Sequence, residues 1–406
     1  MRRTITSENK LNDFSADQVN EVLRESVANK YQKSGRVILI HDPSEIRKRH
    51  TKTAENIGRV KSLDNRIING YSSFNTVVVE PETKQISLVQ HELYSNRQAE
   101  FLSATAVKEL EANQFTGDAQ TKALYESGKY LTSKKIAFDQ ISSASMQLKS
   151  NNSDLSITHV LDREFDDGAF FSHIVEQNDE FVIRGKKSRT VSGLSGDEKA
   201  TGKLISHQFS ESMRYRIQKL YLSGKCYQDC VVELDWECFG EYRAVRVKLV
   251  DRKGKLIFED PMLLLTNKQI HNGYDAYHVY DCYLKRSRIE GVFKFIKEGM
   301  DWEEFRLKDF EGIKALVAIA FYVASYLYEI TQEQVYDDFV VLVAEIGGAK
   351  QGQVTRHYIL EGIKSILTKY RVDRVFVRHQ PDKSTLSAIH DLSLIHISEP
   401  TRPFHI

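Results

Sequence analysis

Tyr283, Arg286, Glu290 and Lys297 stand at spacings of three, four and seven residues inside the stretch YLKRSRIEGVFKFIK. At about 100° per helical residue, all four fall within an arc of about 60°. Leu284 and Ile289 point the other way, and Phe293 flanks the arc. A solvated helix scatters its charges; this one gathers a phenol, two bases and an acid into one stripe. An acid there can bind a hard cation. An arginine can grip a phosphate with two parallel hydrogen bonds, and a lysine can hold a second phosphate as a point charge. Arg286 and Lys297 would stand about 16 Å apart along a helix, a span that suits successive phosphates of a strand. Tyr283 can bond a phosphate or stack near a displaced base.

Two further acids end apolar, β-rich runs: Asp42 after VILI and Asp162 after THVL. Ligands of open α/β sheets collect beyond the carboxyl ends of strands. Asp42, Asp162 and Glu290, drawn from three elements, form a carboxylate set suited to two Mg²⁺ or Mn²⁺ ions and to in-line phosphoryl transfer. Competing structural roles exist for each: Asp162 could cap a helix, Asp42 could cap one starting at Ser44, and Glu290 could be a solvated charge. Two basic runs lie near these acids, Arg47, Lys48, Arg49 and Lys52 beside Asp42, and Arg184, Lys186, Lys187 and Arg189 after a strand. Both are candidate phosphate contacts. His41 and His159 flank the aspartates and are read as packing or supporting groups, and Trp236 as a core residue.

The elements that must position these residues follow from the pattern. Residues 14–32 have helical spacing with Ser15 and Gln18 as a capping box. A short strand covers 36–42, and NTVVVEPETKQISLVQHELYS reads as two strands about a Pro-Glu-Thr turn. A mostly helical segment, a strand at 157–161, a helix and another strand complete a mixed α/β layer. From about 190 to 266 the pattern changes to alternating runs such as KLISHQFS, CVVELDWECF and MLLLTN, an all-β block inserted in that layer. The questioned helix follows, and then ALVAIAFYVASYLY. That run has 14 residues, short of the roughly 20 needed to span a bilayer, and it predicts a buried core helix rather than a membrane span.

The chain of 406 residues is long enough for two or three domains, and its net charge of only +1 leaves any nucleic-acid binding to local patches. Four cysteines without paired finger spacing argue against a disulfide framework or zinc site; a reducing cytoplasm is the expected compartment.

The spacing Y-x2-R-x3-E-x6-K resembles the signature of bacterial DDE transposases of the YREK type, the IS-four family of insertion sequences. ILIHDPSEIRKRH resembles the family's segment around its first aspartate, VLDREFDD its second, and RIEGVFKFIKEGMDWEEFRLKDFEGIKALVAIAFYVASYL the run from the glutamate into the core helix. The likeness covers roughly 36–346. It implies a ribonuclease-H-like mixed sheet with flanking helices, interrupted by an all-β insertion domain. It also implies a metal-dependent triad of Asp42, Asp162 and Glu290. Beside that triad, the stripe and the basic runs make Tyr283, Arg286, Lys297, Arg47, Lys48, Arg49, Lys186 and Lys187 the expected contacts to DNA phosphates. The expected activity is cut-and-paste transposition, with double-stranded DNA (terminal inverted repeats and target) as partner and a homodimer assembled on it. A DNA-binding remnant without catalysis, and a ribonuclease-H-like nuclease without strand transfer, are the alternatives. The expected division is 1–32 a short N-terminal helical region, 33–189 and 267–346 the catalytic core, 190–266 the β-rich insertion and 347–391 a C-terminal region. Residues 392–406, LSLIHISEPTRPFHI, resemble a translated sequencing-library adapter, so the native chain is expected to be cut off near Asp391, with 347–391 a truncated C-terminal region.

Overall fold

A computed structural model describes residues 15–379, apart from 63, 196–201, 223–224, 333–335, 337 and 351–352; the adapter-like stretch 392–406 lies outside the described residues. The chain forms two units, Met1–Gln332 and Glu333–Ile406. The first unit runs α1 (Ala16–Lys30), β1 (Arg36–Arg47), β2 (Gly58–Lys61), β3 (Ile67–Val79), β4 (Ile86–Tyr94), α2 (Ala104–Glu111), α3 (Ala119–Glu126), α4 (Ser133–Ser150) and β5 (Ser156–Leu161). It continues with α5 (Gly168–Val175), β6 (Glu180–Arg184), the single turn α6 (Ser192–Ser195), β7 (Glu211–Leu222), β8 (Lys225–Phe239), β9 (Tyr242–Val250) and β10 (Met262–Thr266). Three helices close it: α7 (Gly273–Leu284), α8 (Ser287–Gly299) and α9 (Phe310–Ile330).

All ten described strands belong to one mixed sheet, ordered β2-β3-β1-β5-β6-β10-β9-β8-β7, with β4 on β3. β1, β5 and β6 pair in parallel, and their neighbours pair antiparallel. The β-rich stretch thus continues the main sheet, joined to it through the β6–β10 pairing. Within that stretch KLISHQFS does not form the expected strand; Ile205–His207 is a 3₁₀ turn whose Ile205 is wholly buried.

The central strands are apolar on both sides because both faces are covered, as parallel strands require. Ile38 and Ile40 of β1 and Val160 of β5 pack with Val279, Ile289, Val292, Val317 and Phe321 of α7, α8 and α9. Their odd-numbered neighbours Val37, Leu39 and Ile157 pack with Ala144 and Leu148 of α4. Each such buried aliphatic side chain contributes about 1.5–3 kcal/mol. α1 begins at the expected capping box of Ser15 and Gln18 and lies against β4 and α9.

The expected end of β1 at Asp42 is corrected. Its parallel pairing to β5 stops at Ile40↔Val160, while its antiparallel pairing to β3 continues to Arg47↔Gly70. Pro43, which lacks an amide donor, is tolerated because only one side of β1 is paired there. At the far end Gly70 is required by space, since a Cβ on it would lie 2.5 Å from the Ile46 carbonyl oxygen.

α9 is the one described helix long and apolar enough, by length and composition, to cross a membrane. Half of its most apolar window is buried within the protein. Phe310, Ile313, Val317, Phe321 and Tyr328 join the core, as the core-helix reading expects.

The second unit contains α10 (Asp338–Ile346) and α11 (Arg356–His379). α10 therefore belongs here, and not with the expected core extending to 346. Gly347 and Gly362 let the two helices meet: a Cβ on either would lie 1.9 Å from a carbonyl oxygen of the other helix.

Candidate functional site

β1 and β5 bring two of the three acids together by register. Ile40 pairs with Val160, so Asp42 and Asp162 each stand two residues beyond the last rung of the same parallel ladder. Residues two apart on a strand share a face, and parallel neighbours lie about 4.8 Å apart. Both carboxylates therefore leave the sheet on the α8 side. His41, one position before Asp42, and His159, three before Asp162, face α4.

The third acid arrives on α8. The expected single helix over 283–297 is two helices, α7 and α8, joined by a turn at Lys285 and Arg286. Arg286 N–H bonds Tyr283 C=O at 2.9 Å and Arg288 N–H bonds Lys285 C=O at 2.9 Å, a tighter closure than the α-helical one. Tyr283 lies in the last turn of α7, Arg286 sits in the turn between the helices, and Glu290 and Lys297 lie on α8.

One guanidinium touches all three carboxylates. Arg286 Nη2 lies 2.8 Å from Asp42 Oδ1 and 3.5 Å from Asp162 Oδ2, and Nη1 lies 2.8 Å from Glu290 Oε1. The Tyr283 hydroxyl donates to Asp162 Oδ1 at 3.0 Å, and Arg184 Nη1 approaches that oxygen at 4.0 Å. The side-chain exposures differ: 11% for Asp42, 31% for Asp162, 17% for Arg286 and 60% for Glu290. Neither capping role competes in the structure. Asp162 makes no side-chain capping bond to the 3₁₀ turn that follows it, and Asp42 lies inside β1.

Burial separates the two aspartates. It pushes the Asp42 carboxyl up to about 7, against the opposing pull of Arg286. Burial acts the same way on Asp162, but Arg286, the Arg163 amide, Tyr283 and Arg184 together hold it below the usual range. The Tyr283 phenol is pushed up by burial and then by the charge of Asp162, so it stays a donor.

The basic candidates divide. Lys297 lies two turns along α8 from Glu290, with its ammonium disfavoured by burial and favoured by Glu303 and Glu45. Arg47 is held by Glu45 at 3.7 Å and Glu303 at 3.8 Å. Arg49 is exposed. Lys48 is corrected: it is 5% exposed, its amine donates to the carbonyls of Glu303 (2.5 Å) and Phe305 (2.8 Å), and it lies 3.3 Å from the Phe305 ring centre. Burial lowers it to about 8, and it packs the loop after α8 instead of facing solvent. Lys186 and Lys187 are exposed, but Lys186 bonds Asp166 and Lys187 pairs with Asp260. Trp236 is a core residue.

His41 and His159, read from the sequence as packing or supporting groups, belong to a buried polar chain on the other face whose further members the sequence reading missed. His41 Nδ1 meets Thr76 Oγ1 at 3.0 Å, His41 Nε2 meets His159 Nδ1 at 2.8 Å, and His159 Nε2 meets Asp179 Oδ2 at 3.1 Å. Ser145 and Lys149 of α4 complete it at Asp179. Burial, then His159, lowers the His41 ring well below its ordinary value, so it is neutral. The signal available was the i, i+1 placement of His41 and Asp42, and of His159 near Asp162, on strands buried on both faces.

The donor set is hard carboxylate oxygen, the chemistry that Mg²⁺ and Mn²⁺ take. Among the described residues, no three carboxylate, histidine or cysteine side chains are grouped closely enough to hold an ion as they stand. The place between the acids is taken by Arg286.

Residues 147–326 match the family model of the transposase DDE domain. The matched span holds Asp162, Tyr283, Arg286, Glu290 and Lys297, whereas Asp42 lies before it. The match supports a transposase of the DDE type. No curated protein matches the chain.

Proposed function

We propose that the protein is a cut-and-paste DNA transposase whose catalytic triad is Asp42, Asp162 and Glu290. The observation that carries this reading is the meeting of three carboxylates from β1, β5 and α8 around one cationic group, within or next to the matched transposase domain. The fold assigned to the core is ribonuclease-H-like, supported by the mixed sheet with parallel β1, β5 and β6 at its centre.

Asp42, Asp162 and Glu290 would hold two Mg²⁺ or Mn²⁺ ions, which when bound activate the attacking oxygen and stabilise the leaving one. The chain's own residues do the rest. Tyr283 fixes the orientation of Asp162 through its hydroxyl. Arg286 and Lys297, with Arg47 and Arg49 at the rim, take up the phosphates of double-stranded DNA on either side of the scissile bond. In the first step water forms the new P–O bond, and the bond to the 3′ oxygen breaks, leaving a 3′-OH at the element's end. That hydroxyl then attacks the opposite strand, giving a hairpin, and after reopening attacks target DNA; each transfer makes one P–O bond and breaks one. Two copies assembled on paired ends complete the reaction.

The test is a strand-transfer assay on a duplex carrying the element's terminal repeats, with Mg²⁺ or Mn²⁺ added. Joined products support a transposase. Cutting without joining indicates a nuclease, and binding without cutting a DNA-binding remnant.

A further inference from the structure

We propose that Arg286 is the resident counter-cation of the triad when no DNA is bound, and that a divalent ion enters as this guanidinium leaves for a DNA phosphate. The inference rests on the reading of the triad as metal ligands. The geometry points to an exchange because the guanidinium and an ion want the same oxygens. Arg286 takes Asp42 Oδ1 and Glu290 Oε1 at 2.8 Å each and reaches Asp162 Oδ2 at 3.5 Å. An ion bridging these acids would stand within a few ångströms of a guanidinium still seated there, and two cations that close in a half-buried site repel strongly.

The guanidinium is also free to go. Its Nε, although buried, has no hydrogen-bond partner, so among the described residues its polar ties are to the three acids. Arg286 lies in the turn between α7 and α8 and not in a helix interior. A phosphate offers the same planar, two-oxygen recognition as a carboxylate. DNA would therefore withdraw Arg286 from the acids and raise their affinity for the ion, and by linkage the ion would raise affinity for DNA by the same factor. The device keeps a phosphodiester-cutting centre neutralised until a substrate arrives.

The experiment is Mn²⁺ titration of the full chain, followed by electron paramagnetic resonance. Parent protein, Arg286→Gln and Asp42→Asn are each titrated with and without a short duplex of arbitrary sequence. Asp42→Asn with duplex corrects for Mn²⁺ held by DNA alone. Arg286→Gln is expected to bind Mn²⁺ about tenfold more tightly than the parent without DNA, a difference of about 1.4 kcal/mol. The duplex should raise the parent's Mn²⁺ affinity by a similar factor and leave that of Arg286→Gln unchanged. Binding that depends on Asp42 but is equal or weaker in Arg286→Gln overturns the exchange and leaves the metal triad standing. Mn²⁺ binding that is absent, or indifferent to Asp42→Asn, removes the triad reading and the exchange with it. Should Arg286→Gln fail to fold, the parent titration decides alone, and an affinity unmoved by duplex overturns the proposal.

Discussion

Glu290→Gln separates chemistry from architecture. The side chain is 60% exposed, and its polar tie is the 2.8 Å contact with Arg286. An exposed ion pair of this kind contributes about 0–1 kcal/mol, and glutamine keeps the size and an acceptor oxygen, so stability should change by less than about 1 kcal/mol. Affinity for DNA should not fall, because the change removes a negative charge from the surface proposed to face phosphates. Cutting should collapse, since a neutral amide is a poor ligand for a hard cation. Lewis-acid stabilisation is worth several kcal/mol; a loss of about 4 kcal/mol, at about 1.36 kcal/mol per factor of ten, is about a thousandfold. Three measurements on one preparation check this: thermal unfolding, fluorescence polarisation with a labelled duplex, and Mn²⁺-dependent nicking. Nicking within tenfold of the parent's rate, with stability and binding intact, would refute Glu290 as a member of the triad.

His91 is fully buried, and burial, then Lys314, lowers it from 6.5 to about 3. Its folded value is depressed, so its contribution to stability is complete above about 6.5 and is lost as pH falls toward about 3. Between pH 7.5 and 5 that loss is about 1.5 pH units, or about 2 kcal/mol; urea denaturation at the two pH values should show the parent losing about 2 kcal/mol relative to His91→Gln, because the contributions of Asp42 and His41 over the same window are common to both proteins. Lys48→Ala should cost about 2–3 kcal/mol of stability through its lost carbonyl bonds and ring contact, and leave the salt dependence of DNA binding alone. Arg49→Ala should do the reverse, lowering the log–log salt slope by about one while stability moves by less than about 0.5 kcal/mol. A flattened slope with unchanged melting for Lys48→Ala would return that residue to the DNA surface.

Much of the sheet was legible because its central strands announce themselves. VILI and ITHVL are β-branched runs too short for helices, and both are buried on two faces, as continuous apolarity implies. Pro43 hid the length of β1. A proline argues against a central strand, and no local feature says that β5 stops pairing at Ile40 while β3 continues to Arg47. The break between α7 and α8 was equally silent, since neither Lys285 nor Arg286 is a helix breaker. Lys48 was misjudged because its partners, the carbonyls of Glu303 and Phe305, lie 255 and 257 residues away.

The site shows where spacing stops being informative. Spacing alone placed Arg286 and Glu290 on one face, and two similar runs ending in aspartate placed Asp42 and Asp162 at comparable depths. What joins them is a register, Ile40 opposite Val160, that carries both aspartates the same distance past the ladder. The direction Arg286 takes is a different kind of fact. A guanidinium recognises carboxylate and phosphate by the same planar pairing, so the residue that would grip DNA is also suited to grip the acids beside it. Which partner it holds depends on whether phosphate is present, and a sequence names the residue without naming its occupant. In the chain alone the acids win: Asp42, Asp162 and Glu290 all turn toward the one cation that, among the described residues, reaches all three.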